Sequence, residues 1–72
     1  MTTEQFRVPG VSCQHCVRAV TNEVSALGGV QTVSVDLATK VVTVEHGEQV
    51  STDQIVAAIQ EAGYEEVTPV GA

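Results

Sequence analysis

The hydrophobic pattern changes period from two residues to about 3.6 and back, and does so twice within 72 residues. This restricts the fold strongly, because strands and helices present apolar faces of different geometry that must close on one core. Gln5-Phe6-Arg7-Val8-Pro9 alternates as a strand with Phe6 and Val8 inward, and Gly10-Val11-Ser12 breaks the alternation as a loop. From about Gln14, the residues Val17, Val20, Val24 and Leu27 recur at three- and four-residue steps, one face of a helix that Gly28-Gly29 ends. Val33, Val35 and Leu37 then alternate with Thr32, Ser34 and Asp36, and after a turn at Ala38-Thr39 the alternation resumes at Val42 and Val44. Ser51-Thr52-Asp53-Gln54 fits a capping box, with Val50 and Ile55 placed as a hydrophobic staple. Ile55, Ala58, Ile59 and Ala62 make the buried stripe of this second helix, and Gly63 stops it. Tyr64 and Val67 fall in a last short strand, which Pro69 confines to a sheet edge.

The order is βαββαβ, an α+β ferredoxin-like pattern: a four-stranded antiparallel sheet with two helices on one face. A chain of this length is expected to be a single domain, 1–72. The topology gathers the loop at residues 10 to 13, the turn at Ala38-Thr39 and the Gly63-Tyr64 junction at one end. His46, Gly47 and Glu48 fall at the opposite end, where His46 is expected on the surface. Three Lys+Arg against nine Asp+Glu leave a net charge of -6, the wrong sign for a phosphate backbone. Phe6 and Tyr64 are the only aromatics, too few for base stacking, so nucleic acid is excluded as a partner. Little surface is left for the walls of a catalytic cleft, and an independent enzyme is not expected. The N-terminus has no cationic start followed by an apolar run, and no stretch nears the roughly 20 apolar residues of a membrane span. The expected location is therefore the cytoplasm, without membrane insertion and with thiols kept reduced.

Two of those thiols carry the chemistry. Gly10-Val11-Ser12-Cys13-Gln14-His15-Cys16 places Cys13 in the loop and Cys16 in the first helical turn. Unpaired N–H groups and the positive end of the helix dipole favour thiolate there. Two adjacent thiolates suit a soft monovalent cation, and Cys selects Cu(I) by softness. Zinc normally takes four ligands, and the chain has no second CxxC pair to supply them. Dithiol redox chemistry is the rival reading of CxxC at a helix start, although Gln14-His15 lacks the proline usual between such cysteines. His15 reads as a solvated side chain, a tuner of thiolate basicity or a ligand.

From Gln5 to Val70 the chain resembles the heavy-metal-associated domains, which include small bacterial copper chaperones of the CopZ type and the N-terminal metal-binding domains of copper-transporting P-type ATPases. The likeness rests on Val8-Pro9-Gly10-Val11-Ser12-Cys13-Gln14-His15-Cys16, on Val33-Ser34-Val35-Asp36-Leu37 with Lys40-Val41-Val42-Thr43-Val44, and on Ala58-Ile59-Gln60-Glu61-Ala62-Gly63-Tyr64. It implies a free-standing carrier that binds Cu(I) through Cys13 and Cys16 and passes it by ligand exchange to an ATPase domain. A copper-responsive regulator is a further implied partner; the apo chain would be a monomer, with a copper-bridged dimer as one loaded state. Val11 stands where the family usually has Met, under the metal loop, and is expected to lend apolar contact to the docking face. Ser12 replaces the Asp of zinc-, cadmium- or lead-selective members and so points to copper. Tyr64 matches the tyrosine that bacterial members place near the metal; read alone, it could equally be an edge-strand aromatic. A copper buffer or detoxifying protein remains the alternative to a carrier.

Overall fold

Strand and helix periods converge on one core in the computed structural model, which describes residues 2–70; Met1, Gly71 and Ala72, the ends of the expected domain, lie outside the described residues. The elements are β1 (Thr2–Arg7), α1 (Gln14–Ser25), β2 (Val30–Asp36), β3 (Val41–His46), α2 (Thr52–Glu61) and β4 (Thr68–Val70). The strands pair antiparallel in the order β2-β3-β1-β4, the ferredoxin-like arrangement that the alternating periods require. Phe6, Val42 and Val44 from the sheet pack with Val20 and Val24 of α1 and Ile55, Ala58 and Ile59 of α2. Pro69 sits opposite Phe6 in the edge strand β4, where its missing N–H costs no inner ladder bond.

Both ends of α2 are built by local chemistry. The Gln54 N–H donates to Ser51 Oγ at 3.3 Å and the Ser51 N–H donates to Gln54 Oε1 at 2.8 Å, which completes the capping box. At the far end Gly63 adopts φ +106°, a region natural to glycine alone. The Gly63 N–H donates to the Gln60 carbonyl at 2.9 Å and the Tyr64 N–H to that of Ile59 at 3.4 Å, a Schellman reversal. Tyr64 and Val67 therefore precede the last strand instead of belonging to it. The reversal and the crossing to the edge of β1 use residues 64–67, and only Thr68–Val70 reaches the ladder.

His46 is a correction. It is 4% exposed, a buried residue and not a surface one. The inward alternation of Val42 and Val44 runs on to His46, and β1 begins early enough to set Glu4 two residues before Phe6 on the same face. His46 Nε2 lies 2.6 Å from Glu4 Oε2, and its Nδ1 lies 2.9 Å from the Gly47 carbonyl. The imidazole thus lies between two oxygens, a backbone carbonyl and a carboxylate. The Thr52 hydroxyl donates to the other carboxylate oxygen, joining β1, β3 and the start of α2.

Glu4→Val strips His46 and Thr52 of their acceptor at once. It should lower unfolding stability by about 1–3 kcal/mol in urea denaturation, the cost of stranding buried polar groups. Adding His46→Val should recover part of that loss, since apolar replacement of both partners of a buried pair is often neutral. An unchanged midpoint in Glu4→Val would mean that the cluster contributes nothing.

Candidate metal centre

The three connections expected at one end do meet there. The Val8 N–H donates to the Lys40 carbonyl at 2.8 Å, and Lys40 Nζ donates to the Val11 carbonyl at 2.6 Å. Asp36 shapes the turn between β2 and β3 by accepting from the N–H groups of Ala38 at 2.8 Å and Thr39 at 3.3 Å. Tyr64 lies so close beneath Gly10 that a Cβ there would meet the ring at 2.9 Å. Any larger residue at that point would have to displace the Tyr64 ring.

Cys13 is the N-cap of α1, in extended conformation (φ -155°, ψ 173°), and its side chain makes no capping bond. The first-turn N–H groups are thus unclaimed by a cap, and the first turn of α1 contains no acidic residue. Cys16 follows at the third helical position, and the two sulfurs lie 3.4 Å apart. That is contact between free thiols, well beyond the roughly 2.05 Å of a disulfide bond. Cys13 is exposed; Cys16 is half-buried and packs against the core.

The Cys16 thiol is lowered from 9.0 to about 6. Hydrogen bonding from the Tyr64 hydroxyl is the largest cause, followed by the Ser12 backbone and the Cys13 thiol, against a smaller opposing effect of burial. The same interaction raises Tyr64 to about 12, because a phenol that donates to sulfur resists losing its proton. Ser12 and His15 are exposed, and His15 is not among the groups that lower Cys16. Among the described residues no third His, Cys, Asp or Glu joins the two cysteines in a group able to hold an ion.

Val11 corrects a further expectation. It has no exposed surface and fills the core beneath the loop, so its side chain offers no apolar contact to a partner. Lys40 follows the Ala38-Thr39 turn expected at this end, and its bond to the loop spans 29 residues, beyond any local pattern. The sequence signal was slight: Lys40 is the only lysine in the chain.

Two sulfurs 3.4 Å apart can both bind one soft ion, at a narrow angle. Opposed bonds of about 2.3 Å, the length found for zinc thiolates, would spread them to roughly 4.6 Å. The exposed Cys13 is the sulfur free to make most of that movement.

The heavy-metal-associated domain model matches residues 5–65. The copper chaperone CopZ of Bacillus subtilis (strain 168) is 42% identical over 66 residues, which span 90% of this chain and 96% of that protein. Copper-transporting ATPase 1 of Rhizobium meliloti (strain 1021) is 38% identical over 60 residues, 83% of this chain but 7% of the ATPase. The solution structure of apo-CopP from Helicobacter pylori is similar with a TM-score of 0.84 at 33% identity, covering 93% of this chain and 100% of that one.

Site-resolved alkylation across pH should place the Cys16 midpoint near 6 and carry it upward toward 9 in Tyr64→Phe. A folded-state value below the unfolded one means stability present above about pH 9 and lost as pH falls through about 6. Urea midpoints of the metal-free protein should therefore rise with pH across that window, and less so in Cys16→Ser.

Proposed function

The chain belongs to the heavy-metal-associated domain family, and we propose that it is a cytoplasmic, non-enzymatic carrier that holds Cu(I) between Cys13 and Cys16 and delivers it to the N-terminal metal-binding domain of a copper-transporting P-type ATPase. The observation that carries this reading is the pair of sulfurs 3.4 Å apart at the start of α1, one exposed and one lowered to about 6. The copper-chaperone name of the Bacillus subtilis relative supports the cargo. The match to part of a copper-transporting ATPase supports a recipient built on the same plan.

Cys16 is the anchored ligand, fixed on α1 and beside Tyr64, whereas Cys13 sits on the exposed loop and meets the partner first. A two-coordinate soft ion leaves room for an incoming thiolate, so a third sulfur bonds before Cys13 or Cys16 departs. Throughout the exchange the Tyr64 hydroxyl stabilises negative charge on Cys16, so the vacated sulfur does not have to wait for a proton. The docking face is the end carrying the Cys13 loop, Ala38-Thr39-Lys40 and Gly63-Tyr64. With a net charge of -6, steering favours a recipient whose matching face is basic, and association slows as salt rises.

Cys13→Ser and Cys16→Ser should each abolish Cu(I) binding that withstands a competing chelator, because one thiolate under-coordinates a soft ion. The loaded protein should pass copper to the isolated ATPase domain faster than it releases copper to chelator. Equal rates would turn the reading toward storage. Tight chelator-resistant binding by either single mutant would remove the two-thiolate site altogether.

A further inference from the structure

We propose that Lys40 is a positioning residue for the metal loop: its ammonium holds the Val11 carbonyl and so limits how far Cys13 can swing away from Cys16. Three hydrogen bonds form a closed circuit around the loop's first half. The Val11 N–H donates to the Val8 carbonyl at 3.1 Å, the Val8 N–H to the Lys40 carbonyl at 2.8 Å, and Lys40 Nζ to the Val11 carbonyl at 2.6 Å. Backbone and side chain of one residue thus grip the Val8–Val11 turn at both of its ends. The ammonium is half-buried, and it contacts a neutral carbonyl of the loop.

The backbone of Lys40 points the same way. Among the described residues it is the only non-glycine with positive φ, at +63°. Glycine enters that region freely, whereas a side chain there is strained, and such strain persists where the surroundings hold it. A turn that needed only to reverse β2 into β3 would be better served by glycine. The side chain at this position has an identifiable task, the bond to Val11.

From Val11 only Ser12 separates the clamp from Cys13. The Val11 side chain is sunk in the core and its carbonyl is held by Lys40, so both sides of this residue are fixed. The swing of Cys13 is confined to the torsions of Ser12 and its own. Such preorganisation favours two-point ligation, because less motion is lost when the ion binds. Without the clamp, Cys13 leaves the ion more often and copper escapes faster.

The test compares Lys40→Gly with Lys40→Arg. The glycine variant removes the ammonium and the backbone strain together, so global stability in urea should hold or rise while the loop loosens. In metal-free protein, NMR exchange of the Val11 amide should accelerate without matching acceleration at Val42 and Val44 in β3. Copper release to a competing chelator should quicken about 10-fold, the low end for residues that support metal ligands. Lys40→Arg keeps a donor at similar reach and should stay near the parent in both measurements. Unaltered Val11 exchange in Lys40→Gly, or acceleration shared equally with the core amides, would overturn the clamp. So would an arginine variant as loose as the glycine one. Unchanged copper release from a loosened loop would overturn the link to Cys13. The copper arm rests on the carrier reading; the exchange arm uses no metal, so a failure of that reading and a failure of the clamp give different results.

Discussion

Val8 and Val11 have no exposed surface, and between them Pro9 and Gly10 lie in the open. This short arch with both feet in the core is what the rest of the site depends on. Burying each valine is worth about 1.5–3 kcal/mol, enough that neither foot lifts without a marked loss of stability. With Val11 fixed, the chain has one residue in which to reach the N-cap of α1, and Cys13 falls on that cap. The helix then carries Cys16 back over the loop, because Val20 and Val24 fix which face of α1 turns inward. Apolar packing some residues away thus anchors both segments that carry the sulfurs, the loop through Val11 and the helix through Val20 and Val24.

The two ends of the molecule handle polar groups in opposite ways. At the far end Glu4, His46 and Thr52 satisfy one another, a buried imidazole paired with a half-buried carboxylate. At the end that carries Cys13 and Cys16 the donors are left partly unspent: Cys13 is the N-cap of α1, and its side chain makes no capping bond. The closed cluster ties β1, β3 and α2 together away from the loop. Stability is thereby supplied at the end away from the two cysteines, and the side chain of the exposed Cys13 is left without a capping bond.

Most of the architecture was legible because the two periods are distinct and the second helix has an explicit start signal. Ser51 and Gln54 predict each other, and the structure forms both bonds. The errors come from strand length. Starting β1 at Gln5 and stopping β3 at Val44 hides the fact that Glu4 and His46 continue the buried faces of their strands, and alternation beside a polar residue gives no hint to extend it. Tyr64 was tied to the right end but to the wrong element, because a Schellman reversal consumes residues that read like the start of a strand. Val11 shows a different limit. A valine in a loop carries no periodicity, so nothing local says that it is core. The Lys40 contact depends on tertiary placement across 29 residues and on an unusual φ, neither of which a local pattern contains.

The lowered Cys16 thiol bears on how a carrier can hold an ion firmly and still give it up. A thiolate that is already ionised near pH 7 has little proton to shed on binding, so copper competes with solvent protons on better terms than at an ordinary cysteine. The same lowering makes the sulfur a weaker base, and weaker thiolate bases depart more readily when another sulfur attacks. In the carrier reading, the hydrogen bonding from Tyr64 that lowers Cys16 acts in both directions at once: it favours loading against protons and eases unloading against thiolates. A site closed on four sulfurs would gain affinity and lose this second property, since no coordination space would remain for attack. In the carrier reading, two cysteines with one supporting hydroxyl are therefore the better arrangement: they hold the ion against water while leaving it open to exchange with a second thiolate site.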